Sequence, residues 1–331
     1  MSLWAQFQDL PSSSERESEP LTGIEIVHGG DHYVFKDPDG RPCTLFRLAS
    51  SSGEGERVLA IALQHLRMEP RLHCRVRNGA DHVEGDYGLL RCLSASEELQ
   101  EYLLKILEKV LDGRAGPITP LSLNALILRL VELFESVEAT PRGTVAGLWA
   151  ELFVALRAQS PLDALKAWHR YPEDRYDFAQ DLQRVEVKCS TSRQREHHFS
   201  FEQAYPQAAQ KVVVASLYAQ SSRAGVSLGE LWDRARETAA ADSDLVLSLE
   251  RNCLRILGKG WSGARRACFD PTVAEDSVAF YAMESIPRLA APLPPGVIRA
   301  EFVADLGGCT PLSREALGVE GIVGSMLGGS W

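Results

Sequence analysis

The 331-residue chain has no run of about eighteen apolar residues, the least a spanning helix requires. Its N-terminus also lacks the basic and apolar stretches of a secretory leader, carrying Ser12-Ser13-Ser14 and then Glu15, Glu17 and Glu19. No membrane association is expected, and a cytoplasmic location is. Paired cysteines are missing too: the seven (Cys43, Cys74, Cys92, Cys189, Cys253, Cys268 and Cys309) are odd in number and scattered, with no Cys-x-x-Cys. That excludes a disulfide framework and a structural zinc, leaving reduced, mostly buried thiols. GxxxxGK[ST] does not occur, so no P-loop is indicated, and there is no internal repeat. Positive charge is in deficit, 35 Lys and Arg against 45 Asp and Glu, for a net charge of −10. This opposes a surface built generally for nucleic acid, although the sign of the whole chain does not decide that of one cleft. What is present is an ordinary globular composition, 45% hydrophobic, enough for one large or two medium domains.

The patterning changes along the chain. Residues 1–20 form a mobile polar arm, apart from a Leu3 to Leu10 segment able to dock as a helical turn. Residues 21–93 are β-rich. Ile24–Val27, Tyr33–Phe35 and Cys43–Leu48 are separated by Gly29-Gly30 and the turn Asp37-Pro38-Asp39-Gly40, then Arg71–Val76 and Tyr87–Cys92 follow, the former ending in an Asn78-Gly79 turn. Residues 94–140 are a helical connector: Ser94-Ala95-Ser96-Glu97 has the form of a capping box, and a second helix begins after Pro117 and Pro120. From 141 onward helices and strands alternate. A helix from about Thr144 to Gln159 carries Glu151 at the edge of its apolar stripe, and Pro161 to Trp168 is a short helix with Trp168 as a core anchor. Ser200-Phe201-Glu202-Gln203 and Ser227-Leu228-Gly229-Glu230 are capping boxes, and Lys211–Tyr218 is a β-branched run expected for a strand buried on both faces. Leu245–Leu257 is helical, Val278–Tyr281 and Glu301–Leu306 are late strands, and the tail from Gly318 shows no period.

The chemistry concentrates between Tyr176 and Gln203. Side chains alternate along a strand, so Val185, Val187 and Cys189 share one face and Glu186, Lys188 and Ser190 the other. If Asp177 lies on the partner arm of a hairpin turning at Gln180 to Gln183, its carboxylate comes beside Glu186. Two carboxylates held together repel unless a divalent cation lies between them. A pair of hairpin salt bridges, Glu186 to Arg184 or Lys188 and Asp177 to an arginine, is the alternative. Arg184, Lys188, Arg193, Arg195, His197 and His198 make a local basic excess, read either as a substrate-facing patch or as a solvated loop.

Asp177 with Glu186-Val187-Lys188, preceded by a helix bearing Glu151, resembles the PD-(D/E)XK nuclease superfamily. Gly147-Leu148-Trp149-Ala150-Glu151-Leu152, Trp168 before Tyr176-Asp177-Phe178, and the late Ile286-Pro287-Arg288-Leu289 resemble its branch DUF4420, found among restriction and phage-defence genes. The superfamily's proline is replaced here by Tyr176. The resemblance implies an α/β (α+β) restriction-endonuclease-like core at 141–331 and a Mg²⁺-dependent DNA endonuclease, with Mn²⁺ able to substitute. Asp177, Glu186 and the Val187 backbone carbonyl would ligate the metal, Glu151 would ligate metal or water, and Lys188 would position the attacking water. Gln203, Arg193 and Arg195 are candidate substrate contacts, with helix capping the alternative for Gln203; His197 and His198 are assigned to a surface loop. DNA and other defence proteins are the implied partners, and a homodimer is allowed. The rival is a non-catalytic subunit that keeps the fold to bind DNA or a protein.

Overall fold

A computed structural model describes residues 2–13, 20–49, 57–78, 81–112, 116–138, 141, 143–171, 174–313 and 320–328. Residues 1 and 14–19 of the expected N-terminal arm and Gly79 of the expected turn lie outside them. The protein divides into two compact units, Met1–Glu135 and Ser136–Trp331, the division falling inside a helix.

The first unit is built on a seven-stranded sheet, ordered β1 (Leu21–Thr22), β6 (Leu66–Asn78), β7 (Asp81–Cys92), β4 (Pro42–Arg47), β3 (Tyr33–Lys36) and β2 (Ile24–Glu25), with β5 (Ile61–Ala62) also on β6. Only β1 pairs in parallel; the rest is antiparallel. One face buries Tyr33, Phe35, Cys43, Leu45, Val76, Tyr87 and Leu89 together. Helix α1 (Leu3–Gln8) does form from the docking segment and buries Leu3 and Phe7. Helix α2 (Glu97–Leu111) is capped by Ser96, whose hydroxyl accepts from the Leu99 amide. The expected box at Ser94 does not form and a simple cap lies two residues on, because Ser94 accepts from the Ser96 amide instead, in a turn preceding the helix. Helix α3 (Pro120–Glu138) follows.

The second unit centres on a four-stranded mixed sheet of β8 (Phe178–Gln180), β9 (Gln183–Ser190), β11 (Lys211–Tyr218) and β14 (Ala279–Ala282), in the order β14-β11-β9-β8. Strands β8 and β9 form an antiparallel hairpin, β9 and β11 are parallel, and β14 is antiparallel to β11. Six successive residues of β11, Val212 to Leu217, are buried, as a strand covered on both faces requires. Each large apolar side chain removed from water there contributes roughly 1.5–3 kcal/mol before the entropy of ordering is counted. Helix α4 (Val145–Arg157), capped by Thr144 through the Gly147 amide, buries Leu148, Trp149, Leu152 and Phe153. Around the sheet stand α5 (Pro161–Ala167), α6 (Phe201–Ala204), α7 (Leu228–Thr238), α8 (Ser243–Leu257), α9 (Trp261–Ala264), α10 (Pro271–Ser277) and α11 (Gly321–Leu327).

Two expectations are corrected here. The basic loop after β9 contains a strand, β10 (Glu196–Ser200), paired antiparallel with β15 (Glu301–Asp305) so that His198 faces Val303 across the ladder. Its side chains alternate, with His197 and Phe199 inward and Glu196 and His198 outward. The tail read as aperiodic contains α11, whose start is held from outside the helix: Gln183 accepts from the Val323 amide and donates to the Glu320 carbonyl. A further small ladder joins β12 (Ser221–Ser227) and β13 (Cys268–Phe269). At Gly225 the two backbones come so close that a Cβ would lie 2.1 Å from the Phe269 carbonyl oxygen, so only glycine fits.

Candidate metal centre

The hairpin delivers Asp177 to Glu186 by register. Phe178 pairs with Val185. Extending that register by one residue puts Asp177, just outside the ladder, opposite Glu186, where directly opposed side chains share a face and the two carboxylates feel each other's charge. Asp181 turns the chain with a φ of +49°, a backbone region that suits aspartate more than most residues. The Asp177 carboxylate is then locked in place, its Oδ2 accepting from the Val187 amide at 2.7 Å. Of the ion-pair alternative, the Glu186–Lys188 half is present at 2.6 Å, while among the described contacts no arginine takes up Asp177.

Glu186 is 3% exposed. Its Oε1 accepts from the Lys188 ammonium at 2.6 Å and from the Gln203 amide at 2.8 Å. Its other oxygen, Oε2, is buried without a hydrogen-bond partner. A buried carboxylate oxygen without a donor is costly, and a cation is the natural remedy. Gln203 is the helix cap of the alternatives raised for it: Ser200 and Gln203 form the reciprocal capping box of α6, and the same side chain also touches Glu186.

Glu151 reaches the site from α4, its Oε2 accepting from the Trp168 indole at 2.8 Å and from His169 Nε2 at 3.0 Å. His169 Nε2 also lies 3.6 Å from Asp177 Oδ1. Donor atoms of Glu151, His169 and Asp177 therefore all fall within 4.8 Å of one another. Ligands on opposite sides of an ion stand roughly twice the ~2.0–2.6 Å metal–ligand distance apart, so these three lie within reach of one ion. Trp168 is the buried anchor expected, with an added task of aiming Glu151.

The electrostatics point the same way. Burial, followed by the charges of Glu186 and Glu151, pushes the Asp177 carboxyl well above the usual carboxylate range. Burial pulls Lys188 down, but Glu186 and Asp177 more than reverse it, so its pKa is raised and it remains an ammonium. Burial and the charge of Glu151 push the Cys189 thiol up to about 12, which leaves it no part as a nucleophile. The three convergent donors of Glu151, His169 and Asp177 fit a divalent cation; Glu186, with its unpartnered oxygen, lies outside that group of three.

The other candidates separate. Arg193 is exposed on the turn before β10. Arg195, expected at the substrate, is instead committed to the fold: it donates to the Ser216 carbonyl at 2.9 Å and hydroxyl at 2.8 Å, and to the Ser277 carbonyl, and lies over the Tyr218 ring. His197 is buried rather than on a surface loop, 2.8 Å from the Ser216 hydroxyl. Burial, with Lys188 and Arg195 nearby, lowers its pKa to about 4, so at neutral pH it accepts the Ser216 proton. His198 is exposed. Sequence reasoning missed His169. Its signal was slight, a lone histidine eight residues before Asp177, and only the fold brings it to Glu151.

Among the described residues, no helix is long and apolar enough to cross a membrane. No curated protein and no solved structure matches the chain. A family model does, over residues 5–307, and its description is "Putative PD-(D/E)XK family member" (DUF4420). Nucleases of that superfamily usually use divalent metals. With the match spanning most of its length, the chain belongs to the DUF4420 family of PD-(D/E)XK-like proteins.

Proposed function

We propose that this protein is a Mg²⁺-dependent nuclease that hydrolyses DNA phosphodiester bonds through a restriction-endonuclease-like centre in its second unit. The observation that carries the reading is the convergence of Glu151, His169 and Asp177 donor atoms within 4.8 Å, with a buried Glu186 oxygen lacking a partner and the Lys188 ammonium 2.6 Å from the other Glu186 oxygen. Asp177, Glu186, Glu151 and the Val187 carbonyl would hold the cation. Once bound, it would activate water and neutralise charge developing on the phosphoryl oxygens. Lys188, charged and anchored on Glu186, is placed to orient the attacking water and to offset charge on the scissile phosphate. Gln203 restrains Glu186, and Trp168 restrains Glu151. Arg175 and Arg184, against one carboxylate of Asp174, line a polar cleft of about 270 Å³ with Tyr176 and Gln210, a locally basic surface on which a phosphate backbone could lie despite the net acidic chain.

The setting inferred from the resemblance is restriction or phage defence, alongside other proteins of such a system. Net charge disfavours indiscriminate DNA binding and suits targeting by a partner.

Nicking of supercoiled plasmid tests this reading. Wild-type protein with Mg²⁺ or Mn²⁺ is expected to cut, EDTA to stop it, and Lys188→Ala to slow cutting by roughly 10²–10⁴-fold while the circular dichroism spectrum is unchanged. Cutting that persists in both Lys188→Ala and Asp177→Ala would refute the site. DNA retention without cutting under any cation would identify a binding subunit instead.

A further inference from the structure

His169 stands at a place where the backbone is forced. Its φ is +40°, a conformation that strains a non-glycine residue and persists only where the surroundings impose it. Here they do. The His169 amide donates to the Asp177 carbonyl at 2.8 Å, and the buried Asn252 of α8 donates its side-chain amide to the carbonyls of both Trp168 and His169 at 3.3 Å. The consequence of that restraint is that Nε2 faces two carboxylates, 3.0 Å from Glu151 and 3.6 Å from Asp177. The imidazole is 15% exposed, so an ion has a path to it from solvent.

We propose that His169 Nε2 is a direct ligand of the ion held by Glu151 and Asp177, and that this nitrogen biases the centre toward first-row ions such as Mn²⁺ over Mg²⁺. The inference rests on the metal-centre reading above and names the ion that centre prefers. The neutral tautomer protonated at Nδ1 turns the Nε2 lone pair toward the two carboxylates. Mg²⁺ takes oxygen ligands and gives up water reluctantly, so an imidazole adds little to its binding. First-row ions gain more from nitrogen, which makes an Asp/Glu/His set selective where an all-carboxylate set is not. The competing role for His169, a purely structural bridge between two carboxylates, predicts no bond to the metal.

The full-length protein decides between them, with Mn²⁺ as the probe. Asparagine tolerates a positive φ, so His169→Asn removes the imidazole with least disturbance to the turn. Free Mn²⁺ is counted by its EPR signal during titration, Mg²⁺ by competition, and pulsed EPR of the bound Mn²⁺ reports ¹⁴N coupling from a directly attached imidazole. Wild type is expected to prefer Mn²⁺ and to show the coupling. In His169→Asn the coupling should vanish and Mn²⁺ affinity fall by about tenfold or more, with a smaller change for Mg²⁺. No bound Mn²⁺, no ¹⁴N coupling in wild type, or an equal loss for both ions would overturn the proposal. Should His169→Asn fail to fold, His198→Asn serves: loss of the coupling there would shift the ligand to that exposed imidazole and overturn it, and retention supports it. Imidazole-bound Mn²⁺ with no DNA cleavage would keep this inference and remove the nuclease reading. Cleavage without the coupling would do the reverse.

Discussion

At the scale of single residues, Asp177 is held against its own electrostatic interest. It is buried, faces Glu186 and Glu151, and receives one compensating hydrogen bond from the Val187 amide. Ionised, it destabilises the metal-free fold, and a cation removes that penalty. Asp177→Asn keeps an acceptor for the Val187 amide while deleting the charge. Its metal-free melting temperature should therefore rise, by about 2–4 °C for each kcal/mol of relief, and the further rise that wild type shows with Mn²⁺ should disappear. A lower melting temperature, or an undiminished response to Mn²⁺, would show that the carboxylate serves the fold alone. Trp168→Phe makes a narrower change. It preserves an aromatic anchor but removes the indole donor to Glu151, and should weaken Mn²⁺ binding by roughly tenfold, since outer-shell partners commonly contribute that much. Equal Mn²⁺ affinity in isothermal titration would remove Trp168 from the metal's surroundings.

At the scale of elements, α6 is one turn whose cap and site contact are the same side chain. Ser200→Ala breaks the reciprocal box, leaving the Gln203 amide without its acceptor, and should cost about 1 kcal/mol in urea denaturation. Because Gln203 also restrains Glu186, plasmid nicking should slow in the same variant; unimpaired nicking would confine the box to a structural role. This box was readable from Ser200 and Gln203 because capping is local, and so was β11 from its β-branched run. The hairpin that carries Asp177 and Glu186 was readable for a related reason: a tight turn fixes its own register. What escaped depended on distant partners. β10 pairs with β15 a hundred residues on, α11 takes its cap from Gln183, and His169 meets Glu151 only through the packing of α4. Arg195 misled because a basic residue near a motif looks like a substrate contact until Ser216 and Ser277 are seen to claim it. Ser94 misled by offering a box spacing whose first hydroxyl serves the preceding turn.

At the scale of the molecule, each unit contains a histidine that the fold keeps neutral. Burial lowers His32 in the first unit to about 4, and burial with Lys188 and Arg195 lowers His197 in the second to about 4. An unfolded histidine titrates near 6.5, so between about pH 4 and 6.5 the unfolded chain binds protons that the folded chain refuses. Stability from this source is present above that window and is lost as pH falls through it. Asp177 has the opposite sign, its folded pKa being raised, so Asp177→Asn should lose stability more steeply on acidification than wild type. Melting temperatures recorded from pH 7.5 to 4.5 check both statements, and a flat profile in the variant would contradict them.

The central claim is that Asp177, Glu186 and Glu151 converge to hold a cation beside Lys188. Crystals soaked in Mn²⁺ and measured at an anomalous wavelength test it most directly. The account predicts a strong anomalous peak bonded to Asp177 and Glu151 within reach of His169 Nε2, with Glu186 coordinating the ion or one of its waters. A clear map with no peak there, at full Mn²⁺ saturation, would contradict it.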